Sequence, residues 1–184
     1  MKKIIFIFLI NIFFTINALS STKEELINNL TKTNNLNFDF EQNINGKIET
    51  GNCTLEYPKK IFCNYNLKNK KIMVSDGNSL VIKTKSGSYY RYPLKKTPLN
   101  YILDKNFLLN EIKKLKERIV DDKFINFKII KNESEINIFF DKKSLNLVGW
   151  QTMDIYQNLN ITYLSTIKKN QVLKKKLFEL PNQD

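Results

Sequence analysis

The pair Asp76-Gly77 lies in the stretch IMVSDGNSL, where a carboxylate separates two apolar runs. An aspartate in such a place can bind a metal ion, transfer a proton or turn the chain. The first two tasks need a second acid, a base or a metal partner, but the neighbouring polar residues are Lys, Ser and Asn. Gly77 tolerates a positive φ, and the Asp76 side chain can accept hydrogen bonds from the backbone across a bend. The pattern therefore predicts a tight hairpin turn.

Other patterns typical of enzymes are missing from the sequence. It contains no histidine, which is the commonest general base and metal ligand. It has no cluster of metal-binding Cys or His, no glycine-rich phosphate loop and no Ser-His pair. Two close acidic pairs, Glu133 with Glu135 and Asp121 with Asp122, are typical of a hairpin end and a solvated loop. We predict no catalytic residue, no metal and no cofactor.

The chain is strongly basic, with a formal net charge of +12 from 30 Lys plus Arg and 18 Asp plus Glu. Such a charge suits nucleic acid or an anionic membrane surface. However, only Arg91 and Arg118 are arginine, and specific phosphate and base recognition favours the bidentate guanidinium. We predict no nucleic-acid partner. Binding of anionic membranes or polymers through a Lys-rich face, including KKNQVLKKK at residues 168–176, stays open.

The N-terminal segment predicts export from the cytoplasm. Two lysines precede an apolar run at residues 4–16, and small residues follow, which is the layout of a secretory signal peptide. The run is short for a permanent membrane span, and no cysteine follows it as an acylation site. We predict a cleaved signal peptide at residues 1–20 and a single domain at residues 21–184.

Most of the remaining sequence alternates with a period of two, as in antiparallel strands joined by hairpins. Residues 21–33 instead place cap candidates before leucines at helical spacing, which predicts an N-terminal helix. A second break begins with Thr97 as the cap and Pro98 as the first helical residue, and predicts one or two short helices. Strands then resume, the last at residues 173–180 (LKKKLFEL). About ten or eleven antiparallel strands with one apolar face can close into a barrel or stay open under the helices.

An ordered set of motifs resembles the periplasmic outer-membrane lipoprotein carrier family (LolA-type). The resemblance runs from about residue 38 to residue 181. The matching stretches are FDFEQ (38–42), GNCTLEYPKKIFCNYNLKNKKIMVSDGNSLVIK (51–83), YPLKKTPLNYIL (92–103) and LVGWQTMDIYQNLNITYLSTIKKNQVLKKKLFELP (147–181).

This resemblance implies a fold and a function. The implied fold is a half-open antiparallel β-barrel, with an apolar concave face and a helical lid. The implied function is that of a periplasmic chaperone, which binds the acyl chains of lipoproteins. It would receive them from an inner-membrane ABC-type lipoprotein release complex and deliver them to an outer-membrane lipoprotein receptor, as a monomer. The alternative is a binding protein of the same fold for another lipid, hydrophobic ligand or regulatory partner.

The strand pattern and the resemblance together select site residues. Seven residues that share one strand face are expected to line the cavity: Phe38, Phe40, Leu55, Tyr57, Ile61, Cys63 and Tyr65. Five residues of the helical segments are expected to form the lid: Leu26, Leu30, Leu99, Ile102 and Leu103. Family members commonly carry Arg just before the hairpin proline, where it tethers the closed lid. Tyr57 occupies that place here, and a phenol cannot offer the guanidinium fork.

The two cysteines, Cys53 and Cys63, lie on the two strands that flank Tyr57-Pro58. By alternation they share a face, and directly opposite positions of an antiparallel pair are close enough for a disulfide. The register depends on the connecting loop. A disulfide and two small apolar wall residues are therefore both compatible with the sequence.

Overall fold

A computed structural model describes residues 21–66, 70–132, 134–153 and 157–183, and the predicted signal peptide at residues 1–20 lies outside the described residues. The described part contains eleven strands. They are β1 (Asn35–Ile44), β2 (Lys47–Glu56), β3 (Lys60–Tyr65), β4 (Ile72–Asp76), β5 (Ser79–Lys83), β6 (Tyr89–Pro93), β7 (Arg118–Val120), β8 (Phe124–Lys131), β9 (Ser134–Asp141), β10 (Leu147–Met153) and β11 (Leu159–Lys169).

All eleven strands form one antiparallel sheet in the order β6-β5-β4-β3-β2-β1-β11-β10-β9-β8-β7. The sheet is open, with β6 and β7 at its two edges. Neighbours in the sheet are neighbours in sequence except where β1 pairs with β11, which joins the two halves of the chain at the centre. The predicted mainly β fold, with an open antiparallel sheet of about eleven strands, is confirmed.

Three α-helices accompany the sheet in the described residues: α1 (Thr22–Thr31), α2 (Leu99–Ile102) and α3 (Lys105–Lys114). Ser21 caps α1, because its hydroxyl accepts a hydrogen bond from the Glu24 amide (3.2 Å) and the Glu24 carboxylate accepts one from the Ser21 amide (3.1 Å). Asp104 caps α3 through a hydrogen bond from the Phe107 amide (3.1 Å). The caps fix where these two helices begin.

The path of the chain explains why α2 and α3 lie over the sheet. They follow β6 at one edge and precede β7 at the other, so the segment that contains them must cross from edge to edge. Their apolar residues join those of α1 and of one sheet face in a single buried cluster. We call this side of the sheet the covered face, and the opposite side the outer face.

Asp76 stabilises the β4–β5 turn. The Asp76 carboxylate accepts hydrogen bonds from the amides of Asn78 and Ser79, each 2.8 Å long. Gly77 has a φ of +104°, a conformation that glycine adopts without steric cost. Leu80 then pairs with Ser75 across the hairpin. The predicted turn is confirmed.

Two local predictions are wrong. Residues 173–180 form turns and irregular chain, not a strand. Three consecutive lysines would place charge on both faces of a strand, and the preceding strand β11 already has β1 and β10 as its two neighbours. Thr97 does not cap a helix with its side chain. Its hydroxyl instead donates to the Leu94 carbonyl (2.9 Å), and α2 begins after Pro98 without a side-chain cap.

Candidate ligand-binding face

The structure brings all seven predicted cavity residues to the covered face. Each is at most 9% exposed, and all belong to the single buried cluster. The register explains this, because Phe38 lies opposite Cys53 and Cys53 lies opposite Cys63 across three adjacent strands. Residues two positions away along each strand then face the same side. The seven are Phe38, Phe40, Leu55, Tyr57, Ile61, Cys63 and Tyr65.

The five predicted lid residues contact the same cluster from the helices. Leu26 and Leu30 of α1, Ile102 of α2 and the following Leu103 are buried, with exposed fractions of 0–4%. Leu99 is half-buried and packs against the cluster. The helices therefore occupy the covered face with their own side chains, and an apolar ligand that binds there must displace them.

The buried cluster extends beyond the residues selected from the sequence, because α3 and the second half of the sheet also contribute to it. Leu108 and Ile112 of α3 are fully buried in the cluster. Strands β8 to β10 add a second apolar wall. The alternation of apolar residues in FINFKII (124–130) and EINIFFD (135–141) indicates which side chains of β8 and β9 share a face, although the predicted site does not include them. The added wall residues are Ile125, Phe127, Ile129, Ile136, Ile138, Phe140, Leu147 and Trp150.

Aromatic contacts join the two walls and shape one end of the face. The rings of Phe38 and Trp150 meet edge to face, with centroids 6.4 Å apart. Phe40 and Tyr65 do the same at 4.9 Å. Between them lies Gly51, where an added Cβ would lie 2.7 Å from Phe40 Cε1 and would also meet the Asn64 carbonyl. The missing side chain at Gly51 is what lets the Phe40 ring lie against β2.

Cys53 and Cys63 are directly opposite each other in the β2–β3 pair and form a disulfide, with Cα atoms 4.1 Å apart. Of the two alternatives that the sequence left open, the structure contains the bridge. It joins the two strands that carry Leu55 and Ile61 and forms part of the wall itself.

The helices are tethered near the β2–β3 turn, but not by the Tyr57 hydroxyl. In the described part of the chain, the Tyr57 hydroxyl has no hydrogen-bond partner. Instead the Lys59 amide donates to the Leu103 carbonyl (2.7 Å), and the Lys59 ammonium pairs with Asp104 (3.3 Å). The Lys59 carbonyl accepts from the Ser75 hydroxyl (2.9 Å), which anchors the turn to β4. This Lys59–Asp104 tether joins the sheet to the segment between α2 and α3.

Loss of the ion pair in the tether is expected to release α2 and α3. We expect Lys59→Met to raise amide hydrogen exchange in these helices about two- to fivefold, because a partly exposed ion pair contributes about 0.5–1 kcal/mol. The matched control is Lys60→Met, which removes an ion pair with Glu56 (3.0 Å) within the sheet. This variant should leave amide hydrogen exchange in α2 and α3 unchanged. Equal exchange in Lys59→Met and wild type would exclude a tethering role for the pair.

The opposite end of the covered face is polar and internally satisfied. Glu49 is 4% exposed and pairs with Lys71 and with Lys47 (3.4 Å). Burial by itself raises the pKa of Glu49, but the hydrogen bonds and charges of the two lysines outweigh it and hold that pKa below its usual range. The Tyr65 hydroxyl lies 3.5 Å from Gln42 Oε1, the outer limit of a hydrogen bond. This end therefore closes the apolar face with paired charges.

The described residues contain no group of three or more Cys, Asp or Glu side chains placed to hold a metal ion. They also contain no helix that is both long and apolar enough to cross a membrane.

Several solved structures match most of the chain at low sequence identity. A LolA superfamily protein from Nitrosomonas europaea has 7% identity and a TM-score of 0.45, over 86% of this chain and 97% of that chain. An outer-membrane lipoprotein-sorting protein domain from Vibrio parahaemolyticus has 9% identity and a TM-score of 0.47, over 84% and 95%. The Mycobacterium tuberculosis lipoprotein LppX has 11% identity and a TM-score of 0.41, over 88% and 96%.

The family assignment rests on the sequence and not on the solved structures. No curated protein matches the chain. The family model described as "Outer membrane lipoprotein carrier protein LolA" matches residues 31–181, which include every described strand. The resemblance drawn from the short motifs is thereby confirmed, and the protein belongs to the LolA family.

Proposed function

We propose that the protein is a periplasmic carrier that binds the acyl chains of outer-membrane lipoproteins on its covered face. It would accept them from an inner-membrane ABC-type release complex and pass them to an outer-membrane receptor. Family membership favours lipoprotein or lipid binding and a non-enzymatic role. The predicted signal peptide supports the compartment.

The observation that carries this proposal is the composition of the buried cluster. It consists of two apolar layers, one on a continuous hydrogen-bonded sheet and one on short helices that pack against it. The hydrogen bonds between the strands lie within the sheet and are not made to the helices. Displacing the helices would therefore expose a continuous apolar surface that includes both walls.

The energetics suit a carrier that loads and unloads without its own energy source. Burying each CH₂ contributes about 0.8 kcal/mol, so an acyl chain of about 16 carbons contributes on the order of 12 kcal/mol. Chains that replace the helix side chains on the sheet recover much of the burial that opening costs. Binding is then a shift between closed and ligand-filled populations, and it can be reversed at a receptor that offers the chains a similar surface.

A release assay tests the proposal. Spheroplasts that make a labelled outer-membrane lipoprotein are incubated with the purified mature protein, and the soluble fraction is examined for a complex of the two. We expect triacylated lipoprotein to appear in that fraction. If none is released while the protein is folded and the release complex is active, the lipoprotein function is wrong. A different lipid in the organic extract of the purified protein would then identify the alternative, a carrier for another hydrophobic ligand.

A further inference from the structure

The Tyr57 hydroxyl is a buried polar atom without a partner on an otherwise apolar face. Two buried side-chain polar atoms in the described part of the chain lack a hydrogen-bond partner, and Tyr57 Oη is the one that belongs to the covered face. The residue is 9% exposed. Buried polar groups in native proteins are normally hydrogen-bonded, and an exception calls for a physical reason. The rest of this tyrosine is well held, because its amide donates to the Asn34 carbonyl (2.9 Å).

Tyr65 provides a comparison within the same face. It is also 9% exposed, and it ends the next strand of the same hairpin. Its hydroxyl lies near Gln42 Oε1, whereas that of Tyr57 has no such neighbour. Burial raises the pKa of both phenols, so each stays protonated at physiological pH and can donate a hydrogen bond. The two tyrosines therefore differ in whether the hydroxyl is already engaged.

The surroundings of Tyr57 change from polar to apolar over a short distance. On one side Lys105 places its ammonium 5.8 Å from the centre of the Tyr57 ring and bonds to the carbonyls of Thr31 (3.1 Å) and Thr33 (2.9 Å). The Lys59–Asp104 tether lies at the same end. On the other side the apolar wall begins. A ligand with a polar linkage and long apolar chains matches this order.

We propose that the Tyr57 hydroxyl donates a hydrogen bond to a carbonyl oxygen of the ester or amide that links the acyl chains to the cargo. This rests on the proposed function. Opening of the helices gives the phenol access to the linkage, while the chains extend along the apolar wall. An ester or amide carbonyl is a good acceptor, whereas an alkyl ether of the same chain length has no carbonyl oxygen. The site would therefore select acyl chains over alkyl chains.

The test compares two lipids that differ only in whether their two chains are attached through ester carbonyls or through ethers. Vesicle-free titrations use a short-chain diester phosphatidylcholine and its diether analogue with wild type, Tyr57→Phe and Tyr163→Phe. Tyr163→Phe is the control, because it removes a phenol hydroxyl on the outer face of β11, where Tyr163 is 55% exposed. We expect wild type and Tyr163→Phe to bind the ester about fivefold more tightly than the ether. Tyr57→Phe should bind the two lipids equally, and its melting temperature should not fall.

The outcomes separate the hydroxyl's role from lipid binding as such. A retained ester preference in Tyr57→Phe, or no preference in wild type, overturns the proposal while lipid binding stands. Failure of wild type to bind either lipid overturns both the proposal and the lipid-binding function. A triacylated lipopeptide is titrated alongside the phospholipid to identify the source of the carbonyl. If acylated lipoproteins are the natural ligand, Tyr57→Phe should also bind the lipopeptide more weakly than wild type does.

Discussion

Ile61→Glu is expected to weaken binding of acylated lipids by more than about 100-fold. Ile61 is 1% exposed on the covered face, opposite Leu55 on β2 and Ser75 on β4. A carboxylate there would have to lose its water beneath either the helices or the acyl chains, and the described residues of the surrounding cluster are apolar and cannot pair with it. Burying an unpaired charge costs several kcal/mol, and each 1.4 kcal/mol is a tenfold change in affinity.

Ile48→Glu is the matched control for this variant. It makes the same change on the outer face of β2, where Ile48 is 57% exposed, and it should leave binding unchanged. Binding is measured by displacement of a fluorescent fatty acid, and circular dichroism checks the fold. Wild-type affinity in a folded Ile61→Glu protein would remove Ile61 from the site. If that variant does not fold, Ile61→Gln tests the same position without the charge.

Removal of the Cys53–Cys63 bridge is expected to lower the free energy of unfolding by about 3 kcal/mol. The two cysteines are 10 residues apart in sequence, and closing a loop of that size in the unfolded chain accounts for an effect of about this magnitude. The measurement is urea unfolding of the double variant Cys53→Ala, Cys63→Ala. We also expect the double variant to lose more lipid-binding affinity than the outer-face variant Ile48→Glu, because the bridge holds the hairpin that carries Leu55 and Ile61.

Reduced wild type is the control for the double variant. Treated with dithiothreitol, it should unfold at the same lower urea concentration, since both lack the same covalent link. Alkylation of oxidised protein without reductant should leave its intact mass unchanged. Addition of two labels, or equal stability of the oxidised and reduced forms, would contradict a structural disulfide.

The period-two pattern was a sufficient guide to the sheet because strand alternation translates directly into faces. Phe38, Phe40 and Leu55 could be placed on the covered face from sequence spacing and lie there in the structure. Hairpin order also follows from short loops, as at Asp76-Gly77. The pairing of β1 with β11 could not be predicted in this way, because it joins distant parts of the chain and depends on the whole sheet.

Tertiary contacts account for what sequence reasoning missed. Nothing local in Lys59 or Asp104 indicates that they meet, since the chain brings them together only after crossing the sheet. Leu108 and Ile112 carried a clear helical stripe, but their burial depends on where α3 lies. The missing partner of Tyr57 is likewise a property of the packed structure, because the sequence shows a phenol but not its surroundings.

The route of the chain from β6 to β7 sets a mechanical limit on how a ligand could enter the covered face. The segment that contains α2 and α3 is anchored at both edges of the sheet. It can therefore lift away from the covered face as a strap, but it cannot rotate away about a single hinge. Its reach depends on its contour length. The ten residues of α3 span about 15 Å as a helix but could reach about 33 Å when extended, so unwinding α3 would lengthen the strap. Slender hydrocarbon chains could pass beneath it, whereas a bulky folded protein domain attached to them would stay outside.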